Sequence, residues 1–210
     1  MKGAFLALKA IPTNHLKKII ETFKILLIAM GVLLHTEALA QEQDSIGGNL
    51  IAIGVAYNDD YSEWNLFNND TEDPVGHIRM RWKNNLDWSE WDFRYMDKMG
   101  EIKMKNKGNL NFWELRMGNE IISFKTIYPD DYTQWRITND TKTLTFKSIY
   151  ENVYDGWKVS SVKSGGFELY TEWEMDPRDW LIKDTLSKDY SDAFKLSMLF
   201  ISTYFSSPKY

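Results

Sequence analysis

Two acidic pairs, Asp59-Asp60 and Asp130-Asp131, are the side chains in this sequence best placed for acid–base chemistry. Each lies just before a tyrosine, Tyr61 or Tyr132. Paired carboxylates hydrolyse glycosidic bonds when they flank the bond about 5–10 Å apart. Recurrence at equivalent places along a chain equally suits turns, where Asp bonds to nearby backbone. A second oxygen-rich stretch holds Asn68, Asp70, Glu72 and Asp73. Its oxygens fall at alternate positions, as in a calcium loop. It lacks the glycine and terminal glutamate of an EF-hand loop, so a solvated hairpin loop is the expected role, with no resident metal or cofactor.

Histidine and cysteine narrow the chemistry further. The chain has no cysteine, which removes disulfides, thiol nucleophiles, thiolate metal sites and lipidated cysteine. Of its three histidines, His15 and His35 fall in the N-terminal segment and leave His77 alone. A multi-histidine zinc site is excluded on that count, and a Ser–His pair would have to use His77. A surface or turn position is its expected place.

Lysines recur at a fixed interval. Lys103, Lys125 and Lys147 are 22 residues apart, with Arg116, Arg136 and Lys158 near them in the same pattern. On an outward face these six form a basic surface for anionic lipid head groups or polysaccharide. Paired with Glu114, Glu168 and Glu172 they form an ordinary solvated strand face. Both readings are open at this level.

The interval belongs to a repeat that must position all of these groups. Trp91, Trp113, Trp135 and Trp157 are spaced by 22, with Trp180 following at 23 and Trp64 preceding at 27. The four spaced by 22 each open a Trp-charged-apolar triplet such as Trp135-Arg-Ile. Phe124-Lys-Thr-Ile-Tyr128 matches Phe146-Lys-Ser-Ile-Tyr150 at the same interval. Within one repeat Trp135 and Ile137 share a face, a turn signal Asn139-Asp-Thr141 follows, and Leu144, Phe146, Ser148 and Tyr150 share the next face. Period-two alternation broken by polar clusters gives two strands per repeat. Gly100, Gly118 and Gly165-Gly166 are expected at turns. The tryptophan ladder is either a stacking surface for a ligand or, being in phase with Phe93, Leu115, Ile137 and Val159, a core.

About twelve strands, over 49–57, 61–67, 77–83, 88–95, 100–105, 110–117, 120–128, 132–138, 143–150, 155–161, 166–174 and 178–184, predict an all-β antiparallel meander. Closure into a barrel removes its exposed edges. Residues 192–205 then read as a C-terminal α-helix, capped at Ser191-Asp192 and stopped at Ser206-Ser207-Pro208. Its apolar positions cover almost the whole circumference, the mark of a buried helix. Twelve strands about 4.8 Å apart and tilted about 40° close on a radius of roughly 12 Å. Wall side chains leave a lumen roughly 12 Å across, and a helix is about 10–12 Å in diameter. The helix is expected to fill the lumen.

Residues 1–40 are expected to lie outside that domain. Lys2, Lys9, Lys17, Lys18 and Lys24 precede the apolar run Ile25–Leu34 and the small-residue site Ala38-Leu-Ala40. These are the parts of a secretory signal peptide cleaved after Ala40. A short flexible stretch, 41–48, and a single domain, 49–210, follow. Without residues 1–40 the chain keeps 20 basic and 28 acidic side chains, a net charge of −8. That argues against a nucleic-acid partner, and the mature chain holds no apolar segment long enough to span a bilayer. Charged outward positions such as Arg94, Lys103 and Arg116 also argue against the apolar band of an outer-membrane barrel.

The residues Trp91-Asp-Phe-Arg-Tyr-Met-Asp-Lys-Met-Gly100-Glu-Ile-Lys-Met, the triplet Trp135-Arg-Ile and the late block Pro177-Arg-Asp-Trp-Leu-Ile-Lys-Asp184 before an apolar helix carry a family resemblance. Over residues 49–205 the chain resembles the tubby-like superfamily, which includes LURP-one-related proteins and phospholipid scramblases. The resemblance implies a twelve-stranded barrel threaded by a hydrophobic helix, in an intracellular lipid-linked or regulatory module. An exported chain departs from that pattern. No basic motif matches the phosphoinositide sites of the family, so no residue is carried over. The expected function is a secreted or periplasmic, non-enzymatic binding or structural module of the bacterial cell envelope. Its partner would be a lipid, a glycan or an envelope protein. The alternative is a carboxylate-based glycan hydrolase.

Overall fold

Alternating inward and outward side chains build every strand. In the computed structural model, residues 50–58, 60–159 and 162–209 are described. The expected signal peptide 1–40, the stretch 41–48 and Asp59 lie outside them. The strands are β1 (Leu50–Tyr57), β2 (Asp60–Asn68), β3 (Gly76–Trp82), β4 (Asp87–Tyr95), β5 (Lys98–Met104) and β6 (Phe112–Met117), then β7 (Glu120–Thr126), β8 (Gln134–Thr138), β9 (Thr143–Ser148), β10 (Gly156–Val159), β11 (Gly165–Thr171) and β12 (Asp179–Leu186). Each pairs antiparallel with its sequence neighbours, and β1 pairs antiparallel with β12, so the sheet is a closed barrel. An even strand count is what lets the first and last strands meet antiparallel. One helix, α1 (Asp192–Ser206), follows.

The barrel has two distinct ends. Odd strands run toward one, here called the mouth, and even strands run back to the other, the base. Two of the base turns, β4–β5 and β6–β7, have only two residues between strands. Met117 pairs with Glu120 across a two-residue turn, and Gly118 there has a φ of +60°. Gly takes that backbone at no steric cost. Gly100, expected at a turn, lies inside β5 instead. A Cβ there would meet the Arg116 carbonyl and the Phe93 ring, so packing rather than turn geometry requires it. Helix α1 enters at the base, where Lys98 pairs with Asp192 at 2.9 Å, and ends at the mouth, where Tyr204 meets Trp88.

Six buried tryptophans ring the mouth half of the lumen, one on each even strand. Trp64, Trp91, Trp113, Trp135, Trp157 and Trp180 are each at most 1% exposed. A buried indole N–H needs an acceptor. Each finds one three or four residues earlier, at or just before the start of its own strand. The acceptors are the carbonyls of Tyr61, Trp88, Leu110, Tyr132, Val153 and Pro177, at 2.8–3.3 Å. The ladder is therefore core, not a stacking surface. Helix aromatics fill the ring: Phe200 packs on Trp91, Trp113 and Phe124, Tyr204 on Trp113, and Phe205 on Tyr132 and Trp135.

Helix α1 is buried on all sides, Leu196, Leu199 and Ile201 included. Its hydroxyls have no water to bond and turn back on their own backbone. Ser197, Ser202 and Thr203 donate to the carbonyls four residues earlier at 2.8–3.0 Å. Inside the barrel Lys195 of α1 pairs with Asp184 of β12 at 2.6 Å. The expected side-chain cap at Ser191 does not form. Its backbone is extended and its carbonyl accepts from Phe194 N–H, while its hydroxyl has no hydrogen-bond partner among the described residues. Tyr150 also departs from expectation. β9 stops at Ser148, the chain turns, and Tyr150 emerges 65% exposed instead of sharing the buried face.

Candidate functional site

The mouth turns explain Asp60 and Asp131. Four residues before Trp64, Trp91, Trp113, Trp135 and Trp180 stands an Asp or Asn: Asp60, Asp87, Asn109, Asp131 and Asp176. Each side chain accepts from the backbone N–H two residues on, in Ser62, Ser89, Asn111, Thr133 and Arg178, at 3.0–3.1 Å. This Asx turn aims the intervening carbonyl at the indole. Before Trp157 the turn is one residue longer. Asn152 caps Tyr154 at 2.8 Å, and Val153 rather than Tyr154 receives the indole.

Asp60 and Asp87 are held as ionised acceptors. Lys107 and the Ser89 donors hold the Asp87 carboxyl down to about 2. Burial raises that of Asp60, but Lys83 and Ser62 outweigh it and the net shift is downward. Asp60 lines a cleft of about 170 Å³ with Tyr61, Ser62, Met80, Lys83, Leu86, Trp88 and Pro208, a lining with no second carboxylate. Asp130 has a φ of +62° and is tied to Asn111, whose side chain donates to its carboxylate at 2.9 Å and accepts its N–H at 2.7 Å.

The outer wall divides the six predicted cations into two groups. Over β3–β6 every strand joins an ion network. Arg81 reaches Glu90 and Glu101 at 3.0 Å and also Asp92. Lys103 pairs with Glu101 at 2.9 Å, and Arg116 with Glu114 at 2.7 Å. Lys105 also binds Glu114 and is the main cause that holds its carboxyl below the usual 4.5. Lys103 and Arg116 are thus neutralised by carboxylates of their own strands rather than across strands.

The other four are not. Lys125 stands directly opposite Arg136 across β7 and β8, and Lys147 directly opposite Lys158 across β9 and β10. Lys147 is also the diagonal neighbour of Arg136, because Arg136 faces Thr145 and Gln134 faces Lys147. The four make one slanting row over four strands. Among the described residues no carboxylate forms an ion pair with any of them. Glu168 faces Lys158 in register without reaching it, and Glu172 lies in the β11–β12 hairpin. Lys125 and Arg136 line an open groove of about 470 Å³ with Asn109, Asn111, Phe112, Thr126, Ile127 and Pro129. Asn111 fixes its floor by accepting from Thr126 Oγ1 at 2.9 Å. Asn109, Asn111 and Phe112 were not singled out in the sequence. Their signal was the Asx position before Trp113.

The remaining candidates are spread apart. Asn68 ends β2, and Asp70, Glu72 and Asp73 follow in the β2–β3 loop at the base, where the backbone N–H groups of Asp70 and Asp73 donate to the side-chain oxygens of Asn68 and Thr71 at 3.1 Å. Among the described residues no group of three or more His, Asp or Glu converges to hold a metal. His77 lies on the outer face of β3, opposite Asn65 and Arg94. Burial and the neighbouring Arg79 push its imidazole below the usual 6.5. Among the described residues no helix is long and apolar enough to cross a membrane.

Compared with known proteins, the chain matches no family model, no curated protein and no solved structure.

Proposed function

We propose that the chain is an exported, non-enzymatic binding module of the cell envelope that holds an acidic polysaccharide along Lys125, Arg136, Lys147 and Lys158. One observation carries the reading. Like charges directly opposite on neighbouring strands are destabilising, and two such pairs stand side by side here while the cations of β3–β6 are neutralised. A ligand supplying the missing negative charges would relieve that repulsion. Three steps of about 4.8 Å make the row roughly 15 Å long. A linear polyanion can follow such a slanting row round a convex wall, whereas a flat bilayer touches the wall along one strip only.

Export is supported by the basic start, the apolar run Ile25–Leu34 and the Ala38-Leu-Ala40 site. Kinship with the tubby-like barrels is supported by the strand count and the threaded helix. Hydrolysis has no specific contact in its favour, since Asp60 and Asp131 serve as turn caps.

Titration of the purified protein with polygalacturonate tests the reading. Binding is expected to weaken about tenfold or more between low and moderate salt and again in Lys125→Ala/Arg136→Ala. Binding that is absent, or unchanged in that variant, rejects it. Binding confined to anionic vesicles would reassign the row to lipid head groups.

A further inference from the structure

The mouth carries a second set of aromatic residues that the buried ladder hides. Seven residues before Trp64, Trp135, Trp157 and Trp180 stand Tyr57, Tyr128, Tyr150 and Trp173. They are 62%, 60%, 65% and 68% exposed. Because β12 closes onto β1, their hairpins β7–β8, β9–β10, β11–β12 and β1–β2 are four consecutive ones round the rim. Local structure repeats as well. The Tyr128 carbonyl accepts from Asp131 N–H at 3.2 Å and the Trp173 carbonyl from Asp176 N–H at 3.0 Å, so the same turn presents both rings. Eight of the twelve exposed large hydrophobic side chains among the described residues belong to mouth hairpins or the strand ends beside them. Isolated exposed apolar residues need no explanation, but their concentration at one end does.

We infer that this arc is a binding site for a neutral β-1,4-linked polysaccharide, with Tyr128, Tyr150, Trp173 and Tyr57 each stacking on the apolar face of a pyranose ring. The inference is independent of the basic row, which lies on the side wall. Spacing supports it. Neighbouring tips are two strands apart, roughly 10–13 Å along a rim of tilted strands, near the disaccharide repeat of such a chain. Polar neighbours support it too. Asn58, Asp130, Glu151, Glu172 and Glu174 flank the four rings. Carboxylates and amides beside an aromatic platform accept hydrogen bonds from sugar hydroxyls.

The same carboxylates disfavour the other occupants. Pressing the rim into a bilayer would desolvate Asp130, Glu151, Glu172 and Glu174 at high cost. A protein partner takes a continuous apolar centre with a polar rim. Here apolar platforms alternate with charged gaps, which fits a ligand that offers apolar faces at intervals.

The test uses chitohexaose and cellohexaose as probes, read by calorimetry and by intrinsic tryptophan fluorescence. At least one hexasaccharide should bind, more tightly than its disaccharide and with little dependence on salt. Tyr128→Ala/Tyr150→Ala/Trp173→Ala should weaken that binding about tenfold or more while keeping the parent's thermal unfolding, because all three side chains are exposed. Lys125→Ala/Arg136→Ala should leave it intact, which separates this site from the basic row. Failure of both hexasaccharides to bind overturns the inference, as does equal binding by the triple variant. Co-sedimentation with phosphatidylcholine vesicles that the triple variant loses would overturn it in favour of a bilayer.

Discussion

The indole N–H is the smallest unit that explains the sequence. A tryptophan ring gives a large apolar payload but brings one donor that must be satisfied. The chain meets that need locally, with an Asx residue that shapes the turn and a carbonyl that the turn aims. Trp spacing was legible, as were Asp60 and Asp131 as turn residues. The Asx rule itself was not, because Asp and Asn alternate in it and one extra residue before Trp157 breaks the count. Removing the donor should tell the two cases apart. Trp135→Phe is expected to cost about 2 kcal/mol in urea unfolding, from lost volume plus an orphaned Tyr132 carbonyl. Trp157→Phe should cost less, because its bond is 3.3 Å against 2.8 Å for Trp135. Equal losses would mean that the bond is incidental and only ring volume matters.

Among the elements, α1 was the clearest from sequence. Its apolar residues occupy every side, so no amphipathic surface helix fits it. The strands were legible within a few residues, since inward Trp135, Ile137, Leu144 and Phe146 alternate with polar neighbours. Strand ends were less so. Tyr150 continued the alternation on paper, yet hydrogen bonding of Ser148 with Asn152 turns the chain two residues earlier. Leu199→Asp places an unpaired charge at a position that is 0% exposed. It is expected to cost about 4 kcal/mol or more, lowering the thermal midpoint steeply. Unfolding close to the parent's would show that the helix tolerates water and that the lumen is not dry.

Charge is organised over the whole molecule rather than strand by strand. Closure itself was legible from strand number and lumen width. Which cations would stay unpaired was not: Lys103 and Arg116 find Glu101 and Glu114 two residues away on their own strands, while register sets Lys125 opposite Arg136. The ion network makes a pH prediction. Lys105 first, and then Arg116, hold the Glu114 carboxyl below 4.5 against its own burial. A depressed folded value gives stability that is complete above about pH 4.5 and is lost as pH falls through the folded value. Glu114→Gln is therefore expected to cost about 1 kcal/mol at pH 7, with the gap to the parent closing as the solution is acidified below pH 4.5. A gap that stays constant with pH would assign the loss to packing instead of charge.

Helix α1 follows all twelve strands in the chain, and this order has a consequence for how the molecule is made. The wall leaves the ribosome before the segment that fills it. Until Phe200, Tyr204 and Phe205 arrive, the six indoles line a hollow and β12 has no packed interior to hold it against β1. A nascent wall in that state exposes strand edges and apolar surface together, the combination that aggregates. Biogenesis therefore hinges on about fifteen late residues. A chaperone or a second copy that occupies the hollow would compete with the chain's own last helix.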